Sequence, residues 1–146
     1  MSKQLRLPTL LVVAENPSIR FWVKKHLDDR FFVITAENEQ EAYAALASRL
    51  DFIIIDALMQ QCDPLMLCQT LRKADQLVPI LLVTGRLKKS FRDKAAESGV
   101  TDFLSDQLDL EELNIRIQAG LKAASAREKT ADLSFAIKGA PKIGGS

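Results

Sequence analysis

Glu15, Asp56 and Thr84 each follow a short apolar run, and that shared placement is the first chemical signal in the chain. Asp56 comes directly after Phe52-Ile53-Ile54-Ile55, an uninterrupted stretch of the kind that forms a strand covered on both faces of a parallel sheet. In open α/β sheets ligands sit beyond the carboxyl ends of the strands, so residues placed this way should face one crevice. Two carboxylates held together repel unless a cation or a proton intervenes. Glu15 with Asp56 therefore suggests a divalent site with oxygen ligands, for which Mg²⁺ is the natural candidate. A hydroxyl such as Thr84 beside that metal could bind a phosphoryl oxygen. The chemistry within reach is phosphoryl transfer to Asp56, since a carboxylate is a competent nucleophile for an acyl phosphate. The same residues would serve equally well as loop-side caps, with Thr84 merely ending a strand.

The elements that must position them alternate along the chain. Leu10 to Val13 reads as a first strand, and Asn16-Pro17 as an N-cap followed by a proline at the first helical position. The helix that follows reaches about Asp29, with Ile19, Trp22, Val23, His26 and Leu27 on one face. Phe31 to Thr35 is a second strand, and Asn38 with Glu41 forms a capping-box pattern before a helix that buries Ala42, Ala45 and Leu46. Asp63-Pro64 repeats the cap-then-proline signal, with Leu65, Leu67, Cys68 and Leu71 turned inward. Pro79 to Val83 is another all-apolar strand. A polar helix from about Lys88 to Ser98 packs through Phe91 and Ala95 and stops at Gly99. Val100 to Leu104 is a fifth strand. Asp109 with Glu112 opens a last helix, lined by Leu110, Leu113, Ile117, Leu121 and Ala124 and expected to run to about Lys129. Five alternations predict an α/β domain with a parallel sheet covered by helices on both faces.

Thr130 to Ser146 differs in kind. Leu133, Phe135 and Ile137 alternate with Ser134, Ala136 and Lys138 as a half-buried strand would, and the end is rich in Gly and Pro. It reads as a linker, as the start of a following domain, or as a strand that pairs with another chain. The seam Leu113, Ile117 and Leu121 could serve a homodimer as well as the core.

With 20 Lys plus Arg against 19 Asp plus Glu, the net charge is +1 and gives no electrostatic reason to expect nucleic acid or an anionic membrane as a direct partner. At 146 residues and 47% hydrophobic, one ordinary globular domain is expected. No apolar run approaches the roughly 20 residues of a membrane helix, and Met1 to Thr9 lacks the apolar core of a signal peptide, so a cytoplasmic location is expected. Cys62 and Cys68 form neither a CxxC pair nor a Cys/His cluster and read as buried reduced thiols. His26, the one histidine, sits at the edge of an apolar stripe and reads as a packed residue.

Three segments together carry a resemblance to a known family: Leu-Leu-Val-Val-Ala-Glu-Asn-Pro-Ser-Ile-Arg from Leu10, Phe-Ile-Ile-Ile-Asp-Ala-Leu-Met from Phe52, and Pro-Ile-Leu-Leu-Val-Thr-Gly from Pro79. Over residues 8–127 the chain resembles a response-regulator receiver domain, leaving 128–146 as linker or the start of an output domain. The resemblance implies a (βα)5, flavodoxin-like, doubly wound five-stranded sheet. It also implies phosphorylation of Asp56 by a histidine kinase, Mg²⁺ held by Glu15 and Asp56, and Thr84 on the phosphoryl group. In the family the switch reaches the surface of the fourth helix, fifth strand and fifth helix.

The chain departs from that family at the site. Ala14 stands where the first of two acids is usual, which should weaken Mg²⁺ binding. Asp106 takes the position of the family's lysine, so a phosphoryl group would meet a carboxylate where it normally finds a cation. Phe103, at the switch aromatic, has no hydroxyl. Met59-Gln60 and Asp63-Pro64 replace the usual Met-Pro and Asp-Gly, giving the loop its own shape. Lys88 or Lys89 could lean over the crevice as a substitute cation. These residues point to an atypical receiver, weakly or not phosphorylated at Asp56, that acts through protein contacts. The alternative is a conventional phospho-aspartate receiver. A phosphatase using Asp56 as nucleophile would want a second acid two residues on, and that residue is Leu58; a nucleotide-binding sheet would want a glycine-rich loop where Ala14-Glu15-Asn16-Pro17 stands.

Overall fold

The computed structural model describes residues 6–83, 88–105 and 108–139, with 131–139 described by backbone alone. Five strands, β1 (Thr9–Val13), β2 (Phe32–Ala36), β3 (Phe52–Asp56), β4 (Ile80–Val83) and β5 (Asp102–Leu104), alternate with five helices. These are α1 (Pro17–Leu27), α2 (Glu39–Ala44), α3 (Pro64–Ala74), α4 (Lys89–Glu97) and α5 (Leu110–Gly139). The sheet is entirely parallel, as the alternation predicts, in the order β2-β1-β3-β4-β5, the flavodoxin-like order that the family resemblance implies.

Strand periodicity divides the core into two layers. Leu11, Val13, Ile53, Ile55, Ile80 and Leu82 face α2, α3 and α4, where Ala42, Leu67, Cys68, Leu71 and Ala95 meet them. Leu10, Val12, Phe52, Ile54 and Leu81 face α1 and α5, against Val23, Leu27, Leu113 and Ile117. Because β1 and β3 are covered on both sides, they hold no polar side chain between Leu10 and Ile55 that the sheet would have to satisfy.

The expected helix starts are present as hydrogen bonds. Asn16 Oδ1 accepts from the Ser18 amide at 2.9 Å, Asn38 Oδ1 from Glu41 at 2.8 Å, Asp63 Oδ1 from Leu65 at 3.0 Å and Asp109 Oδ1 from Glu111 at 2.9 Å. Gly99 ends α4 at φ +100°, where a Cβ would meet the Arg72 side chain at 2.9 Å. Arg72 in turn donates to the Gly99 and Val78 carbonyls at 2.7 and 2.6 Å, tying α3 to the segment after α4 and to the segment before β4.

Two expectations are corrected at the C-terminal end. The helix does not stop near Lys129: α5 runs 30 residues to Gly139, so Leu133 to Ile137 are helical and not a strand. Between Ser125 and Lys138 there is neither Pro nor Gly, and Ala, Arg, Glu, Lys and Leu dominate, which favours propagation of an established helix over a five-residue alternation. Leu113 and Ile117 are fully buried against the sheet and form the core face of α5, with Leu121 partly buried beside them. Among the α5 side chains described, which end at Thr130, the last buried one is Ala124. Just beyond it Glu128 pairs with Arg49 at 3.3 Å, which fastens α5 to the base of β3. Among the described residues no helix is long and apolar enough to cross a membrane.

Candidate functional site

Asp56 is the last residue of β3, in register with Val83 of β4, and the next amide, of Ala57, donates to the Val83 carbonyl at 2.9 Å. The strand therefore delivers the carboxylate to the carboxyl edge of the sheet while keeping it 5% exposed. Its Oδ1 accepts from the Leu58 amide at 3.0 Å. Burial holds the carboxyl above the usual aspartate range; the Leu58 donor offsets part of this and the negative charge of Glu15 adds to it. Asp56 and Glu15 are thus close enough to sense one another, as the topology requires.

Glu15 has a different environment. Its Oε1 accepts from the Gln60 amide at 2.7 Å, and its Oε2 from the Gln61 and Cys62 amides at 2.6 and 3.1 Å. These three consecutive donors of the β3–α3 loop form a cradle for one carboxylate. They hold its pKa below the usual glutamate range, the Gln60 donor foremost, with desolvation acting against them. Ala14, at the position of the other expected acid, is fully buried, and its amide donates to the Ala36 carbonyl at 3.0 Å.

A guanidinium closes the same loop from the other side. Arg20 Nη1 donates to the Ala14 and Glu15 carbonyls at 2.6 and 3.0 Å, and Nη2 to Glu37 Oε2 at 3.2 Å. Arg20 and the amide cradle are the site features that sequence reasoning did not find. Arg20 belongs to a quoted motif, but nothing in its spacing announces a bond back to carbonyls five and six residues earlier.

This donor set does not fit Mg²⁺ well. Receiver domains bind that ion at an acidic pocket, and a hard, octahedral ion wants several uncommitted oxygens. Here Ala14 contributes none from its side chain, both Glu15 oxygens already accept amide hydrogens, and Asp56 shares one oxygen with Leu58. Among the described residues no group of three or more His, Cys, Asp or Glu is arranged to hold a metal ion.

Thr84 and Asp106 lie outside the described residues. Phe103 is half-buried and packs on the α2–α4 side of the core, as does Phe91. Lys89 does not lean over Asp56: its Nζ pairs with Asp93 along α4 at 3.0 Å, with the side chain 82% exposed. Lys88 is exposed at the start of the helix. His26 stacks on Trp22, ring centroids 4.5 Å apart, with Nδ1 2.9 Å from the Trp22 carbonyl oxygen. Both thiols are buried, and burial pushes Cys62 up to about 11 and Cys68 to about 12, which makes them inert near neutral pH.

Comparison with known proteins agrees with this architecture. The chain is 32% identical over 114 residues to the heme response regulator HssR of Staphylococcus haemolyticus, covering 77% of this chain and 50% of that protein. It is 29% identical over 127 residues to the transcriptional regulatory protein HprR of Escherichia coli, covering 86% and 56% respectively. The chain thus spans about half the length of the curated relatives it matches. Among solved structures, the Vibrio cholerae chemotaxis protein CheY4 superposes with a TM-score of 0.75 at 28% identity, over 80% of this chain and all of that one. Residues 10–118 match the response regulator receiver domain, and the chain belongs to that family of two-component signalling domains.

Proposed function

We propose that this chain is an atypical receiver, weakly or not phosphorylated at Asp56, which passes a signal by protein contact. One observation carries the reading: the Glu15 carboxylate is spent on the Gln60, Gln61 and Cys62 amides beside a buried Ala14, so the acid pair of the family is not presented to a cation. An aspartyl phosphate formed without a metal would gather negative charge next to Glu15. Two like charges about 4 Å apart cost on the order of 1 kcal/mol in water and several times that in a partly buried cleft. Asp106 at the family's lysine position supports the same reading from the sequence.

Receiver domains are generally non-enzymatic signalling domains, and turnover of an external substrate by Asp56 acting as a phosphatase nucleophile has the least support. A histidine kinase or another signalling protein is the upstream partner this reading implies, with a cytoplasmic location. Because the chain spans about half of its curated relatives, an output domain after α5 would carry the response. The rival reading, a conventional phospho-aspartate receiver, keeps one observation in its favour: Asp56 still stands at the β3 edge with Glu15 beside it.

The test is incubation with a small phosphodonor and Mg²⁺, followed by intact mass measurement. The expected result is no phosphoryl adduct, or a trace. Stoichiometric labelling that disappears in Asp56→Asn would replace the atypical reading with the conventional one.

A further inference from the structure

The hydrogen bonds around Glu15 form a continuous path. Glu37, just after β2, holds Arg20; Arg20 holds the backbone carbonyls of Ala14 and Glu15; the Glu15 side chain holds three amides of the β3–α3 loop. Three strand ends are linked this way across the carboxyl edge of the sheet. We infer that Glu15 is a positioning residue in a metal-independent brace, which fixes the β3–α3 loop in one arrangement whether or not a divalent cation is present.

The physical argument concerns what a cation would have to displace. The amide hydrogens of Gln60, Gln61 and Cys62 converge on the Glu15 carboxylate, so their positive ends already neutralise it. An ion placed there would face those same positive ends. Arg20 occupies the Ala14 and Glu15 carbonyl oxygens of the β1–α1 loop, so those two are already engaged. Mg²⁺ sheds its hydration reluctantly and is poorly suited to compete for oxygens so engaged.

This deepens the proposed function and rests on it for the consequence. A loop fixed without metal presents the exposed Leu58, near its start, and Met66, in the first turn of α3, as a constant surface. A partner reading that surface would find it in the same form in the absence of phosphorylation.

Amide hydrogen exchange on the whole chain tests the brace, in EDTA and in millimolar Mg²⁺. The Gln60, Gln61 and Cys62 amides should be protected in EDTA and unchanged by Mg²⁺. Glu15→Gln should speed their exchange by about tenfold, the order expected when a charged acceptor is lost. Glu15→Asp, which keeps the charge on a shorter arm, should fall between. If Glu15→Gln proves unfolded by circular dichroism, Arg20→Lys supplies the reading, with faster exchange expected at the amides of the β1–α1 loop. A saturable Mg²⁺ effect that Glu15→Gln abolishes, or unaltered exchange in a folded Glu15→Gln, would overturn the brace. Phosphodonor labelling of the same samples separates the two ideas. Asp56 labelling with exchange indifferent to Mg²⁺ defeats the atypical receiver and supports the brace; Mg²⁺-dependent exchange without labelling does the reverse.

Discussion

The sheet interior and the carboxyl edge both hold β1 beside β3, and they do it by opposite means. Inside, Leu10 to Val13 pair in parallel with Phe52 to Ile55, every one of them at most 2% exposed, and helices cover both faces. That attachment is apolar, non-directional and proportional to buried area. Two residues beyond Val13 the attachment becomes a carboxylate in an amide cradle, which depends on three distances and on the path of one loop. The interior accepts any apolar residue of suitable volume. The edge accepts very few substitutions without changing what it does, so a family can keep its frame while one member reassigns its acids. Ala14 marks the boundary: it holds a position where the family carries an acid, but it is buried and bonded as part of the sheet.

The largest effect should come from breaking the interior. Ile54, fully buried on the α1–α5 side, should cost about 2–5 kcal/mol when truncated to alanine, read as a shift of the urea midpoint at constant slope. A cost below that range would mean the layer collapses around the vacancy and is less rigid than its burial implies. Gly120→Ala should be milder. The added Cβ would stand 2.6 Å from Phe52 Cε2 and 3.2 Å from Pro79 Cβ, and the Phe52 ring is itself 2% exposed and has little room to retreat. An overpacking cost of about 1–3 kcal/mol is offset in part by alanine's better helix propensity, about 1 kcal/mol. A net gain in stability would show that α5 can lift from the sheet at no cost.

The same division explains what was legible in the sequence. The interior was readable because burial on both faces needs unbroken apolar runs, and the caps were readable because Asn16, Asn38, Asp63 and Asp109 act on amides two or three residues away. Topology then placed Glu15 and Asp56 at one edge. The partners of Glu15 were not readable, because they lie 45 to 47 residues away on a loop whose path neither periodicity nor capping determines. Arg20 was missed for the same reason in reverse: its targets are carbonyls, which every residue carries. The misread tail had a local cause. Leu133, Phe135 and Ile137 alternate over a span too short to separate a period of 2 from one of 3.6, and the run before them, Ala126 to Lys129, consists of good helix formers.

The smallest effect sharpens the comparison within the edge itself, because its two carboxylates should respond to pH in opposite directions. Burial raises the Asp56 pKa in the folded state above its unfolded value, so the carboxyl favours folding below the unfolded value near 3.8, and that contribution is lost as pH rises through the folded pKa. Glu15 is lowered, so its contribution is present above the unfolded value near 4.5 and is lost as pH falls through the folded pKa. Removing either charge should therefore leave a signature in the difference from wild type. Asp56→Asn, whose Oδ1 can still accept from the Leu58 amide, should gain on wild type as pH rises from about 4 toward neutrality, since the variant never buries a charge. Glu15→Gln should fall behind wild type in a lower window, as pH rises through the lowered folded value to the unfolded value near 4.5, stay behind by a constant amount above it, and rejoin wild type in acid. Urea midpoints at a series of pH values in EDTA would give both profiles. Parallel slopes for the two variants would mean that the carboxylates share one environment, and the division between a buried acceptor and a cradled anchor would not stand.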